Sequence, residues 1–243
     1  LLSENERILA ATFDAAISSF KKGKTKKITV ISSSMVFEST NLYPTPETEV
    51  LNSPPPKSTY GFQKLASEYY AKGAFEQYGL NYTIIRPFNC IGTGEGRALS
   101  DKEIFSGNIK LAMSHVLPDL IQKTLKGQSP IHLLGNGNQI RHYTHGKDLA
   151  RGIRLSLESE LSINNDFNLS TSRSTTVIEL AKIVWQEIKG DQEFKYILEP
   201  GFKYDVQKRM PCTKKAKNIL GFEAEISLEE GVKEVTEWIK GQI

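Results

Sequence analysis

The sequence has little cysteine. Cys90 and Cys212 are the only two in 243 residues. They stand far apart and without the close spacing of metal ligands, which argues against a disulfide scaffold and fits a reduced, cytoplasmic setting. Long apolar runs are also missing: no stretch approaches the roughly 20 residues that span a bilayer, and no signal peptide is visible, so no membrane partner is expected. Charge of one sign is lacking too. Thirty-one Lys and Arg against 28 Asp and Glu leave a net +3. That is too small and too scattered for a nucleic-acid partner, and the local "KKGKTKK" run reads as a solvated loop. Histidine is scarce, with four in all. His142 and His145 lie three apart without a carboxylate cluster, so no metal site is expected.

What is present alternates between helical and strand patterns. "LLSENERILAATFDAAISSF" is an amphipathic helix, with Ile8, Leu9, Phe13 and Ile17 at helical spacing. "KKITVISSS" is a short β-branched run bounded by a basic loop and serines, a buried strand. "YGFQKLASEYYAKGAFEQYG" follows as a helix stopping at Gly79, and "LNYTIIRPFN" as a second buried strand stopped by Pro87. Strand, helix, strand in this order predicts a right-handed parallel crossover. After Asn89 a glycine-rich polar loop, "CIGTGEGRALSDKEIFSGN", leads to a helix around "AMSHVLPDLIQKTLKG". "SPIHLLGNGNQIRHYTHG" reads as strand, glycine turn and strand, "KDLARGIRLSLES" as a helix and "NNDFNLSTS" as a strand. Two further helices carry capping-box patterns, Thr176 with Glu179 and Ser227 with Glu230. Trp185 and Trp238 fall at apolar helix positions and read as core.

Tyr60 and Lys64 stand one helical turn apart in "STYGFQK". Tyrosine is a poor base near neutrality, with an unperturbed pKa of about 10, and a cation beside the phenolate lowers that value. The spacing alone fits either an amphipathic surface pair or an acid/base couple. "SSS" (Ser32 to Ser34) closes the preceding strand, and "RPFN" (Arg86 to Asn89) closes the next one. Ligands in parallel α/β sheets sit beyond the carboxyl ends of the strands, so these groups converge on one crevice.

"VISSSMVF", "STYGFQK" and "TIIRPFNCIGTGEG", followed in order by "LLGNGNQIRHYTHGKDLARGI" and "KRMPCTKKAKNILGFEAEISLEEGVKEVTEWI", resemble the extended short-chain dehydrogenase/reductase family. The likeness is to its NAD-dependent nucleotide-sugar epimerases and dehydratases, and to UDP-glucose 4-epimerases in particular. The resemblance implies a Rossmann-type doubly wound parallel sheet with a smaller mixed α/β substrate-binding part. Residues 1–90, with 146–171 returning to them, would form the NAD-binding portion. Residues 91–145 and 172–243 would bind the nucleotide-diphosphate sugar. It further implies Tyr60, Lys64 and Ser33 as catalytic residues, with Tyr60 the general base. Tyr60, Lys64, Ser32, Pro87 and Asn5 would contact NAD, and Ser34, Asn89, Arg141 and Arg209 the substrate. Guanidinium forks suit a diphosphate. The helices at residues 3–20 and 59–78 would pair two copies through a four-helix bundle.

Two departures stand against that pattern. The family's glycine-rich strand-to-helix turn, which holds the dinucleotide pyrophosphate, does not occur before the first strand, and the chain reads as the C-terminal part of an enzyme about 70–100 residues longer. The other reading is a remnant that binds a nucleotide sugar without catalysis. Secondly, dehydratases of the family carry an Asp-Glu pair where this chain has Ser34 and Met35, and a thioether is neither acid nor base. Elimination of water is therefore disfavoured, and the resemblance implies epimerisation at C4 of a UDP-hexose, with a nucleotide-sugar dehydratase or reductase of the same family as the alternative.

Overall fold

The computed structural model describes residues 2–94, 105–106, 109–110, 115–201 and 206–242. The chain begins with α1 (Leu2–Lys21), β1 (Lys27–Ile31), α2 (Thr59–Tyr78), β2 (Asn81–Pro87) and β3 (Cys90–Ile91). A short antiparallel pair, β4 (Phe105–Ser106) and β5 (Ile109–Lys110), precedes α3 (Val116–Leu125), β6 (Ile131–Leu134), β7 (Ile140–Arg141) and β8 (Thr144–His145). The remainder is α4 (Gly146–Glu158), β9 (Asn165–Leu169), β10 (Thr175–Thr176), α5 (Val177–Lys189), β11 (Tyr196–Glu199), α6 (Lys214–Leu220) and α7 (Leu228–Lys240). The fold is mixed α/β, and it divides into two units. One holds residues 1–89, 148–172 and 210–224, the other residues 90–147, 173–209 and 225–243.

The first unit is built on a three-stranded parallel sheet in the order β1-β2-β9, with α2 as the crossover between β1 and β2. Its central strand β2 is buried on both faces, as a parallel strand covered by helices is. Ile84 packs with Phe13, Ala71 and Leu80 on the α1/α2 side. Its neighbour Ile85 packs with Leu149, Phe167 and Phe222 on the other. Successive strand residues point to opposite faces, so one β-branched run feeds two cores.

The α2 helix starts where Ser58 Oγ accepts the Gly61 N–H at 3.0 Å, and it stops at Gly79, whose φ of 74° needs glycine. In α1, Phe13 is buried and Leu9 and Ile17 pack beside it. Ile8, expected on the same face, is 65% exposed. It lies a full 100° around the helix from Leu9, outside the stripe that the single sheet face can cover.

In the second unit α3, α5 and α7 pack around Leu120, Ile121, Leu180, Val184, Val232 and Val235. Both capping boxes form, Thr176 with Glu179 and Ser227 with Glu230. Trp185 is buried and donates its indole N–H to Gln192 O at 2.8 Å, and Trp238 packs partly buried against the same core. The strands read around "GNG" do not pair with each other. β6 pairs with β11, β7 with β10 and β8 with β3, and Gly135 and Gly137, at φ 83° and 72°, turn the chain between them. The stretch read as loop after Asn89 contains β3, and the next described helix begins at Val116. The expected glycine-rich loop beyond Gly94 and the helix start at Ala112 lie outside the described residues.

Candidate active site

The serine run follows directly from the end of β1. The Ser32 N–H donates to Ile85 O at 2.7 Å, carrying the parallel pairing one residue past the strand. Ser33 is extended, at φ −158° and ψ 154°, and caps a 3₁₀ turn over Ser34–Phe37, its Oγ accepting the Met35 N–H at 3.2 Å. A hydroxyl that accepts one bond still has its own proton to donate. Ser33 and Ser34 are otherwise buried.

The start of α2 is pressed against that turn. A Cβ on Gly61 would lie 2.8 Å from Met35 O and 2.7 Å from Pro56 Cβ, so only glycine allows the helix this close. Glu38 Oε2 accepts from both the Ser58 N–H, at 3.0 Å, and the Ser58 hydroxyl, at 2.8 Å. It thereby holds the N-cap two residues before Tyr60. Lys64 then reaches back to the strand: its ammonium donates to Ile31 O at 2.8 Å and sits 5.8 Å from the Tyr60 ring centroid. Tyr60 itself is 53% exposed.

Tyr60 and Lys64 border a cavity of about 440 Å³ between α1, β1 and α2. Asn5 lines the far wall and donates to Gln63 Oε1 at 2.9 Å. Pro87 closes β2 beside the end of β1, and Asn89 follows it at φ 35°, a left-handed conformation that asparagine tolerates better than most residues. Ser32, Ser33 and Ser34 thus follow the end of β1, and Tyr60, Lys64 and Asn5 line the cavity beside that strand in the first unit.

Arg141 and Arg209 belong to the second unit. The Arg209 N–H donates to Ile140 O at 3.0 Å, and the Arg141 guanidinium donates to the same carbonyl at 2.9 Å. Both act on Tyr143, which is buried. Burial pushes its phenol up to about 12, against the opposing pull of Arg141 and Arg209. His142 and His145 go to separate partners: His142 Nε2 meets Ser174 Oγ at 2.9 Å, and His145 Nε2 lies 3.5 Å from Glu234.

Sequence reasoning missed the ionic chain beneath the serine run. Arg86 and Glu68 are both fully buried and paired through two bonds, Nε to Oε1 at 2.8 Å and Nη2 to Oε2 at 2.7 Å. Arg86 Nη1 also meets Asp166 at 2.8 Å, and Asp166 meets Lys215 at 2.6 Å. Burial acts to raise the Asp166 carboxyl, but Arg86 and Lys215 outweigh it and hold the group below its usual range. At the other end Ser32 Oγ donates to Glu68 Oε1 at 2.5 Å. The signal was available: an arginine inside the apolar run "TIIRPF" must find a buried anion.

Comparison with known proteins shows the family. A Methanocaldococcus jannaschii protein, named as a candidate UDP-glucose 4-epimerase, is 32% identical over 205 residues, covering 84% of this chain and 60% of the relative. The UDP-glucuronate 4-epimerase of Thermodesulfobacterium geofontis is 28% identical over 221 residues, covering 90% of this chain and 60% of the relative. The crystal structure of the Thermotoga maritima UDP-glucose 4-epimerase with UDP-glucose superposes with a TM-score of 0.76 at 30% identity, over 96% of this chain and 68% of that one. This chain thus spans about 60% of the length of these two curated relatives. Since residues 6–170 also match the family's own model, a tyrosine and lysine set beside a serine-tipped parallel strand here mark a chain that belongs to the NAD dependent epimerase/dehydratase family.

Proposed function

We propose that this chain carries the proton-transfer and sugar-binding residues of an NAD-dependent epimerase acting at C4 of a UDP-hexose in the cytoplasm. The observation that carries the reading is the clasp at the end of β1. Lys64 is tied to Ile31 O and lies over the Tyr60 ring, and the Ser33 hydroxyl sits on the turn against which the start of α2 is packed. Tyr60 takes the proton from the sugar hydroxyl, and Ser33 donates a hydrogen bond to the same oxygen. Epimerisation would be complete when hydride returns to the opposite face of C4 after the keto sugar has turned over and Tyr60 gives its proton back to the oxygen. Arg141 and Arg209 take the diphosphate, and Asn89 and Ser34 contact the sugar.

The residues present fit one end of the dinucleotide. An ammonium at the carboxyl end of a parallel strand suits a ribose diol, with Tyr60, Ser32, Pro87 and Asn5 around it. Among the described residues no glycine-rich strand-to-helix turn is placed to hold the pyrophosphate. When bound, NAD supplies reversible hydride acceptance from the sugar carbon.

Epimerisation is favoured over elimination of water by the acids near the site. Ser34 and Met35 offer no carboxyl, and the nearby Glu38 is engaged by Ser58. Two copies pair through the outer faces of α1 and α2, where Phe62 and Tyr69 are 51% and 60% exposed. The test is turnover of UDP-glucose to UDP-galactose by the whole protein with NAD, compared with Tyr60→Phe. General acid–base loss predicts a fall of about 10²–10⁴ in kcat with the fold intact. Full activity in the phenylalanine variant would refute the base assignment. Binding of UDP-glucose without turnover would leave a carbohydrate-binding protein.

A further inference from the structure

Glu68 is the third of three residues at helical spacing on α2, after Tyr60 and Lys64, so one face of the helix carries all three. Lys64 holds the last residue of β1, Ile31, by its carbonyl at 2.8 Å. Glu68 holds the next residue, Ser32, by its hydroxyl at 2.5 Å. Neither bond could fix the serine run if Glu68 itself were free to move, and it is not. Arg86 of β2 clamps it with two bonds, Asp166 of β9 holds Arg86, and Lys215 of α6 holds Asp166. The guanidinium also lies 5.1 Å from the Phe37 ring centroid, at the end of the turn that begins with Ser34. The chain of charges therefore crosses all three strands and ends on the residue preceding Ser33.

An ion pair at zero exposure is no economical source of stability, because desolvation offsets most of the attraction between its charges. Its geometry is informative for another reason: it fixes position. We infer that Glu68, with Arg86 behind it, is a positioning residue that sets the place of Ser33 relative to Tyr60 by holding the Ser32 hydroxyl. The inference rests on the epimerase reading, since position matters only if Ser33 and Tyr60 share a substrate oxygen. A bidentate clamp on the carboxylate leaves one oxygen oriented at Ser32, which a point-charge partner would not do.

Ser32→Ala tests this with the ion pair left whole, and Ser32→Thr restores a hydroxyl. Glu68→Gln, which risks the fold, serves as a second variant, with thermal melting as its control. Two readouts are taken on the whole protein: amide exchange at Met35 and Val36 by NMR, and kcat and KM for UDP-glucose with NAD. Ser32→Ala is expected to speed exchange at Met35 and Val36 at least tenfold while Ile84 and Ile85 stay protected. It is also expected to lower kcat at least tenfold with KM within threefold, and Ser32→Thr to recover most of both. Unchanged exchange in Ser32→Ala overturns the inference alone. So does faster exchange with unchanged kcat, because the hydroxyl would then order the turn without serving the reaction. A wild-type protein with no turnover removes the epimerase reading and the inference with it, an outcome distinct from the other two.

Discussion

The ammonium of Lys64 donates to the main-chain carbonyl of Ile31 at 2.8 Å, so the residue one turn after Tyr60 is fastened to the last residue of β1. The lysine is thereby placed by the sheet, not by its own flexible stem. Lys64→Met keeps most of the stem and removes the charge and the bond. The bond is half-exposed, so stability should change by about 1 kcal/mol or less. The kcat of the whole protein should fall by about 10²-fold or more. Urea unfolding and turnover measured side by side check it; a large loss of stability with kcat unchanged would make the lysine a strand fastener only.

The two ends of the ionic chain differ sharply in burial, and the cost of cutting them should differ likewise. Arg86 and Glu68 are at zero exposure, whereas Lys215 is 28% exposed. Arg86→Met strands the Glu68 carboxylate in the interior, leaves Asp166 with Lys215 alone, and is expected to cost about 3–5 kcal/mol, enough to threaten folding. Lys215→Met exposes Asp166 to water and should cost about 1 kcal/mol or less. Equal costs in urea titrations would mean that the chain is not anchored where its burial says.

Much of this was legible in the sequence because it depends on neighbours along the chain. A bounded β-branched run marked β1, Pro87 the end of β2 and Gly79 the end of α2, and the capping boxes at Thr176 and Ser227 are set by residues within three positions. Pairings between distant segments left weaker traces. Nothing near "YILE" indicates that β11 joins β6, since its Tyr196, Ile197 and Leu198 are all exposed and carry no alternating pattern. Ile8 was misplaced because a helical stripe can be drawn slightly to either side, and only the sheet decides which. Glu68 carries no signal of its own along the helix, and its burial follows from Arg86, eighteen residues away on another element.

The hydroxyl of Tyr143 is buried with no hydrogen-bond partner among the described residues. An orphaned buried hydroxyl costs about 1–3 kcal/mol, so Tyr143→Phe should leave stability unchanged or raise it by about 1 kcal/mol. A loss of stability of 1 kcal/mol or more would reveal a partner. The same burial holds the phenol up to about 12. Ultraviolet titration should therefore show late tyrosine ionisation, to which Tyr82, also raised by burial, contributes, and the variant should lose the share that belongs to Tyr143.

Glu47 and Asp166 should move stability in opposite directions with pH. Glu47 is buried at 4% exposure, and burial raises its pKa above the ordinary 4.5, only partly offset by the Asn168 N–H that donates to it at 2.9 Å. The native state then holds this proton more tightly than the unfolded chain. Its contribution is most favourable below the unfolded value, and it declines as pH rises towards the folded one. Asp166 is the reverse case. Its stabilisation is present above the ordinary carboxyl range and is lost as pH falls through the lowered folded value. Glu47→Gln keeps an oxygen for Asn168 and cannot ionise. Its stability relative to wild type should be near zero at pH 4 and should grow in the variant's favour from there to pH 7, as followed by urea midpoints. Asp166→Asn should instead lose ground to wild type as pH rises from the lowered folded value to about 4, and the difference should then hold level to pH 7. A Gln variant that is less stable than wild type at pH 7 would mean that Glu47 is ionised and needed as a charge, which its surroundings do not support.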